Sequence, residues 1–282
     1  MGVIQANLDF FYGSFVNKIV TKTFDSLETI PSIEINESRY TVRLANSSEE
    51  IDAALRLRFE VFNLELGEGL DSSFITGRDK DEFDATCHHL IVIERLSEKI
   101  VGTYRLQTLE MAKNISGFYC AGEFDLETLP TKVLAESLEI GRACIASEHR
   151  NTKVLFLLWK GLAAYAQLKG KRYLFGCCSL TSQNSADSTK ASAILENENH
   201  FHPTYLVKPR KHFVCQDKDF VAKNNNNDEK FELPKLFRTY LRFGANVCSR
   251  EGAIDQNFKT IDFFVIFDLK TMDPKYRQLF LD

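Results

Sequence analysis

Leu138-Glu139-Ile140-Gly141-Arg142-Ala143-Cys144 decides the fold through what surrounds it. Residues 138–145 read as a strand, and a basic turn follows, His149-Arg150-Asn151-Thr152-Lys153. Residues 154–168 are apolar almost all round, which marks a buried helix. Gly170 closes that helix, and residues 173–178 give the next strand. A strand, a buried helix and a second strand in this order can form a right-handed crossover onto a parallel neighbour.

Upstream, a strand over 40–44 leads to Ser47 and Glu50, a capping box opening a helix with Ile51, Leu55, Phe59 and Phe62 on one stripe. That helix ends near Gly67, and the acidic segment 77–84 is a loop. Strands follow over 89–94 and 100–107, joined by the polar turn Leu96-Ser97-Glu98-Lys99. Downstream, Asn224-Asn225-Asn226-Asn227 is a polar loop, a helix over 233–243 stops at Gly244, and residues 261–267 are a strongly apolar strand. The fold class is therefore α/β, a twisted mixed sheet flanked by helices and splayed between 138–145 and 173–178. Residues 39–282 make the main domain, with a helix–strand extension from about 228. Residues 1–38 form a preface whose Leu8, Phe11, Phe15 and Ile19 recur at helical spacing beside Lys18 and Lys22. That stripe reads either as a helix docked on the core or as peripheral membrane contact on the inner face.

With 282 residues, 44% hydrophobic, the chain can bury a sizeable core, and its net charge of −4 gives no electrostatic footprint for nucleic acid. The 23 phenylalanines suit either a Phe-rich core or an apolar groove for a hydrocarbon chain. Cys87, Cys120, Cys144, Cys177, Cys178, Cys215 and Cys248 are odd in number and contain no CxxC pair. Neither a disulfide framework nor a zinc site fits them, so no metal is expected. With no apolar run of bilayer length and no basic leader, the expected place is the cytoplasm.

The candidate chemistry begins with Glu139 and Arg142, charges three apart in an apolar strand. Gly141 between them suggests a bulge that re-aims a side chain and frees backbone amides. Glu139 then reads as a base for an amine, with amides near Gly141 polarising a thioester carbonyl, or the two charges read as a buried pair bracing the sheet. Arg150, Asn151 and Lys153 converge on the start of the buried helix, a monophosphate site or a solvated basic turn. Asp79, Asp81 and Asp84 either accept a substrate ammonium or pin arginines such as Arg58 and Arg105.

In this order the motifs resemble the acyl-homoserine-lactone synthases of the broad GCN5-related N-acetyltransferase-like superfamily. Arg58-x-x-x-Phe62, Asp79-x-Asp81-x-x-Asp84, Gly102-Thr103-Tyr104-Arg105-Leu106 and Glu139-x-x-Arg142 carry that likeness, although Asp79 stands where that family typically has Glu. The chain is closer to the ornithine-acyl-carrier-protein N-acyltransferases, often called hemolysin-like. Residues 117–125, 138–144, Tyr240-Leu241-Arg242-Phe243-Gly244-Ala245 and 252–263 carry that similarity, which covers roughly 40–270. The resemblance implies a 3-hydroxyacyl donor on acyl carrier protein and an amino acid, such as ornithine, accepting through its α-amine. It implies no permanently bound cofactor, the phosphopantetheine thioester being a co-substrate. Glu139 and Arg142 would be catalytic; Arg58, Phe62, Asp79, Asp81, Asp84 and Arg105 would serve the substrate; Gly141, Arg150, Asn151 and Lys153 would hold the carrier arm. A lactone-forming signal synthase and a non-catalytic module binding acyl carrier protein or membrane are the alternatives.

Overall fold

The computed structural model describes residues 30–214 and 231–281. The apolar stripe at Leu8, Phe11, Phe15 and Ile19 and the loop at 224–227 lie outside them. The chain builds β1 (Glu34–Glu37), β2 (Tyr40–Leu44), α1 (Ser48–Phe59), β3 (His88–Glu94) and β4 (Lys99–Thr108). A short helix α2 (Cys120–Glu123), β5 (Ser137–Ile145), α3 (Thr152–Leu168), β6 (Tyr173–Leu180) and α4 (Ser185–Asn197) follow. The last part holds α5 (Lys235–Phe243), β7 (Asn246–Val247), β8 (Ala253–Asp255), β9 (Thr260–Asp268) and α6 (Pro274–Phe280). All strands join one sheet in the order β1-β2-β3-β4-β5-β6-β9-β7, with β8 on β9. Among the described strands β5 and β6 pair in parallel, with α3 between them in the chain, and the other strand pairs are antiparallel. β1 lies inside the stretch read as the preface and pairs with β2.

Ser47 caps α1 by accepting from the Glu50 amide, but the Glu50 carboxylate turns to Arg43 and the Asn46 amide, so only half of the expected capping box forms. α1 also stops sooner than its apolar stripe suggests and continues as a π-helical turn over Glu60–Glu65. No helix among the described residues is long and apolar enough to cross a membrane.

The splay expected between 138–145 and 173–178 is present. β5 and β6 pair only from Ser137 opposite Tyr173 to Glu139 opposite Phe175, although both strands run on. Gly176 stands at the fork, where a Cβ would meet the Ile140 carbonyl oxygen at 2.2 Å; only glycine lets the strands close below and part above. On the other side of β5, Arg105 faces Gly141 but Thr103 faces Cys144, so β5 carries an extra residue. The bulge takes its left-handed backbone at Arg142, φ 50°, rather than at Gly141. A non-glycine residue there costs about 1 kcal/mol or more.

Strand pleating sorts the core into two layers. Leu138, Ile140, Leu174, Cys178, Phe263, Val265 and Phe267 join the cluster built on α3, with Trp159 buried among the rings of Tyr240, Phe243 and Phe267. Phe175, Phe264 and Ile266 face the opposite layer and pack with Phe118 and Phe124.

Candidate active site

A cavity of about 270 Å³ opens at the fork, close to the lower end of the roughly 300–1,000 Å³ of ligand pockets. Its walls follow the two sheet faces. Tyr104, Ile140, Cys178, Phe237, Tyr240, Val265 and Phe267 line it from the α3 layer, an almost wholly apolar branch. Gln107, Tyr119, Cys120, Glu139, Cys177 and Asp262 line it from the other layer, with Glu68, Arg105 and Arg142 also on the wall. Phe62, Phe237, Phe258 and Phe267 are at once packed and cavity-lining.

Glu139 is buried at the foot of the fork, with β4 beside it placing Gln107 opposite. Its Oε2 accepts from the Tyr119 amide at 2.8 Å and its Oε1 from the Cys120 amide at 2.7 Å. Burial pushes the Glu139 carboxyl up, while the bonds from Cys120 and Tyr119 and the Arg105 charge pull it back. Arg142 does not pair with Glu139. The bulge turns it to the acids, where Nη2 donates to Asp81 at 3.0 Å and Nε stands 3.3 Å from Asp79. Its guanidinium also lies 4.7 Å from the ring centre of Tyr119 and 4.3 Å from that of Phe258.

The acidic trio gathers the arginines. Arg58, fully buried, donates to Asp79 at 2.7 Å and to Asp84 at 2.6 Å; Arg105 reaches Asp81 at 2.5 Å and Asp84 at 3.2 Å. Burial works to raise the Asp84 carboxyl, but the Arg58 and Arg105 charges outweigh it and hold it well below the carboxylate range. Arg105, Arg142 and Phe62 face the cavity, whereas Arg58, Asp79, Asp81 and Asp84 stand behind them. Gly141 lines the cavity as well.

The basic turn lies apart from that wall. Arg150 forms an ion pair with Glu65 and donates to the Ile145 carbonyl at 3.0 Å. The Asn151 side chain caps α3 by accepting from the Val154 amide at 3.1 Å, and Lys153 is exposed on the first turn. His88 bonds Tyr165 at 2.9 Å, and the cysteines among the described residues form no disulfide.

Sequence reasoning missed a second acidic group. Glu68, Glu123, Asp255 and Asp262 are all buried, and burial pushes the Glu68, Glu123 and Asp262 carboxyls up from their ordinary values. Glu123, Cys177 and Asp262 each bring one ligand-capable atom within 4.8 Å of the others. Cys177 Sγ also lies 3.4 Å from Cys120 Sγ. A polar residue at an inward position of the apolar strand 261–267 was the available signal: Asp262 interrupts it.

The family model described as an acetyltransferase (GNAT) domain matches residues 57–160. An L-ornithine N(alpha)-acyltransferase of Brucella abortus (strain 2308) is 35% identical over 245 residues, 83% of this chain and 86% of that protein. Another, of Rhizobium meliloti (strain 1021), is 31% identical over 287 residues, 98% of this chain and 92% of that one. The solved structure of the AHL synthase LasI shares 13% identity at a TM-score of 0.48, over 86% of this chain and 95% of that one, a level that carries no functional argument.

Proposed function

The chain belongs to the L-ornithine N(alpha)-acyltransferase family and is an N-acyltransferase, and from that premise we propose that it acylates the α-amine of an amino acid such as ornithine. The donor is a 3-hydroxyacyl chain on acyl carrier protein, and the reaction is the first step of amino-acid-lipid synthesis. No cofactor is permanently bound; the phosphopantetheine thioester is consumed as a co-substrate.

The observation that carries this reading is the fork between β5 and β6 with Glu139 at its foot, apolar on one face and polar on the other. The thioester enters the fork, the acyl tail lies against Tyr104, Phe237, Tyr240 and Phe267, and the amine approaches from the face of Glu139. A neutral amine attacks the thioester carbonyl, forming the C–N bond as the C–S bond breaks. Glu139 takes the ammonium proton, directly or through a water, and that proton is available to the departing thiolate. Amides near Gly141 stabilise the oxyanion. Arg142 and Arg105 hold the acceptor's carboxylate beside Phe62, and Arg58, Asp79, Asp81 and Asp84 fix those arginines in place. Arg150, Lys153 and the amides at the start of α3, which Asn151 caps, hold the carrier's phosphate. Incubating the purified chain with 3-hydroxyacyl carrier protein and ornithine tests the reading. N-acylornithine and one free carrier thiol per turnover are expected; absence of both overturns it.

A further inference from the structure

We propose that Asp262, with Glu68 and Glu123 beside it, receives the side-chain ammonium of a diamino-acid acceptor. The proposal rests on the reading that ornithine is the acceptor. It concerns the second acidic group, which the transfer chemistry itself leaves unused.

The two acidic groups differ in their counter-charges. Asp79, Asp81 and Asp84 are each ion-paired to Arg58, Arg105 or Arg142. Among the described residues, no lysine, arginine or histidine forms an ion pair with Glu68, Glu123, Asp255 or Asp262. Arg142 acts on Glu123 only through space. Asp262 and Glu68 line the cavity, and the residues Asp262 and Glu123 are each only 3% exposed. Asp262 Oδ1 and Glu123 Oε1 have no hydrogen-bond donor. The partners that do reach these acids bring no cation: Thr181 donates to Glu68 at 2.5 Å and Thr260 to Asp262 at 3.3 Å, while the Asp262 and Glu123 carboxyls bond each other and so share one proton at most between them. Buried carboxylates without a cation are costly unless a proton or a ligand supplies one. A primary ammonium carries the missing positive charge and three donors.

The separation fits a linear diamino acid. Glu139 lies opposite Phe175 and Asp262 opposite Ser179, four residues on, so along β6 the base and the acid stand roughly 13 Å apart. Ornithine, with a hydrogen bond at each nitrogen, spans a comparable length. Its α-amine then faces Glu139 and the fork, and its side chain points along β6 towards Asp262. A divalent metal on Glu123, Cys177 and Asp262 is the competing occupant. A ligating cysteine must lose its proton. The Cys120 contact and burial both hold the Cys177 thiol protonated, which favours the ammonium.

The test compares ornithine with 2-aminopentanoate, the same chain without the terminal amine. The wild type is expected to favour ornithine by about 100-fold or more in kcat/KM, as sites with buried polar groups reject analogues that leave them unpaired. Asp262→Asn should collapse that preference to within about tenfold, mostly through KM for ornithine, with the melting temperature reporting folding. If Asp262→Asn does not fold, Glu68→Gln must erode the same preference. A wild type that acylates both acceptors equally, or variants that keep the preference, would overturn the subsite and leave ornithine acylation standing. Failure of the wild type to acylate ornithine at all would overturn both. Zinc that copurifies with the wild type and is lost in Asp262→Asn would give the site to a metal and likewise overturn the proposal.

Discussion

Replacing Glu139 by glutamine separates its chemistry from its structural work. The carboxylate spends one oxygen on the Tyr119 amide and the other on the Cys120 amide. Glutamine keeps one acceptor oxygen and sets an NH₂ donor against the second amide. One charge-assisted bond is lost and one buried N–H left without a partner, a penalty of about 1–3 kcal/mol. At roughly 2–4 °C per kcal/mol for domains approaching this size, the melting temperature should fall by about 2–12 °C. Loss of a general base costs on the order of 10²–10⁴-fold in turnover, or about 3–5 kcal/mol in the barrier. The two effects are read by different instruments. Thermal unfolding reports the first, and single-turnover acyl transfer to ornithine, well below the melting transition, reports the second. Unchanged turnover in a folded Glu139→Gln protein would refute the base assignment. A protein that no longer folds would show instead that the carboxylate serves chiefly to hold the segment carrying Tyr119 and Cys120.

Four further outcomes follow from the structure and the sequence. Arg58→Leu removes the shortest ion pair of both buried Asp79 and Asp84, leaving them only Arg142 and Arg105, and should cost about 3–5 kcal/mol, a loss measurable by urea unfolding; a loss below about 1 kcal/mol would contradict the network. Asp84 has its folded-state pKa depressed, so its contribution is present above its unfolded pKa of about 3.9 and lost as pH falls further, giving a steep drop in melting temperature below about pH 4. Glu123 has the opposite sign: its raised pKa gives stability below the unfolded value of about 4.3 that is lost as pH rises through the folded value. Glu123→Gln should therefore gain in melting temperature over the wild type at pH 8 relative to pH 5, and a pH-independent difference would contradict that sign. Competing acyl carrier protein and coenzyme A thioesters at equal concentration should favour the carrier protein, because residues 149–153 contain no glycine to cradle a pyrophosphate; preference for coenzyme A would count against the phosphate assignment.

The fold was readable where the sequence repeats a simple period. Residues 154–168 are apolar all round and become the buried helix α3, and the strands beside them form within two residues of their expected ends. The fork itself was inferred from Gly141, but the residue that enforces the close approach is Gly176, inside a strand that looks uniformly apolar. Its need for glycine arises from the Ile140 carbonyl on another strand, a contact no local pattern encodes. Of the readings open for Arg142, the buried pair with Glu139 does not form, for a related reason. Strand alternation sets positions three apart on opposite faces, and only the left-handed backbone at Arg142 decides that it turns to Asp79 and Asp81. Asp255 and Asp262 fall within the matching stretch 252–263, yet nothing in one dimension brings them to Glu68 and Glu123, which lie far away in the chain.

The distribution of arginines gives the cavity its direction. Three arginines and three aspartates form a nearly balanced block behind Phe62 and beside Glu139, so two of the arginines can face a carboxylate while remaining anchored. Beyond Tyr119 the wall carries acids that no cation among the described residues pairs, and through the fork it becomes apolar. An acceptor with one anionic and two basic groups is oriented by that sequence of surfaces before any reaction occurs. In the proposed binding mode its carboxylate goes to Arg105 and Arg142, its distal ammonium to Asp262, and the α-amine is left nearest the base. Selecting which of two amines is acylated then requires no difference in their nucleophilicity. It follows from binding, because the distal ammonium held by buried carboxylates stays protonated and cannot attack.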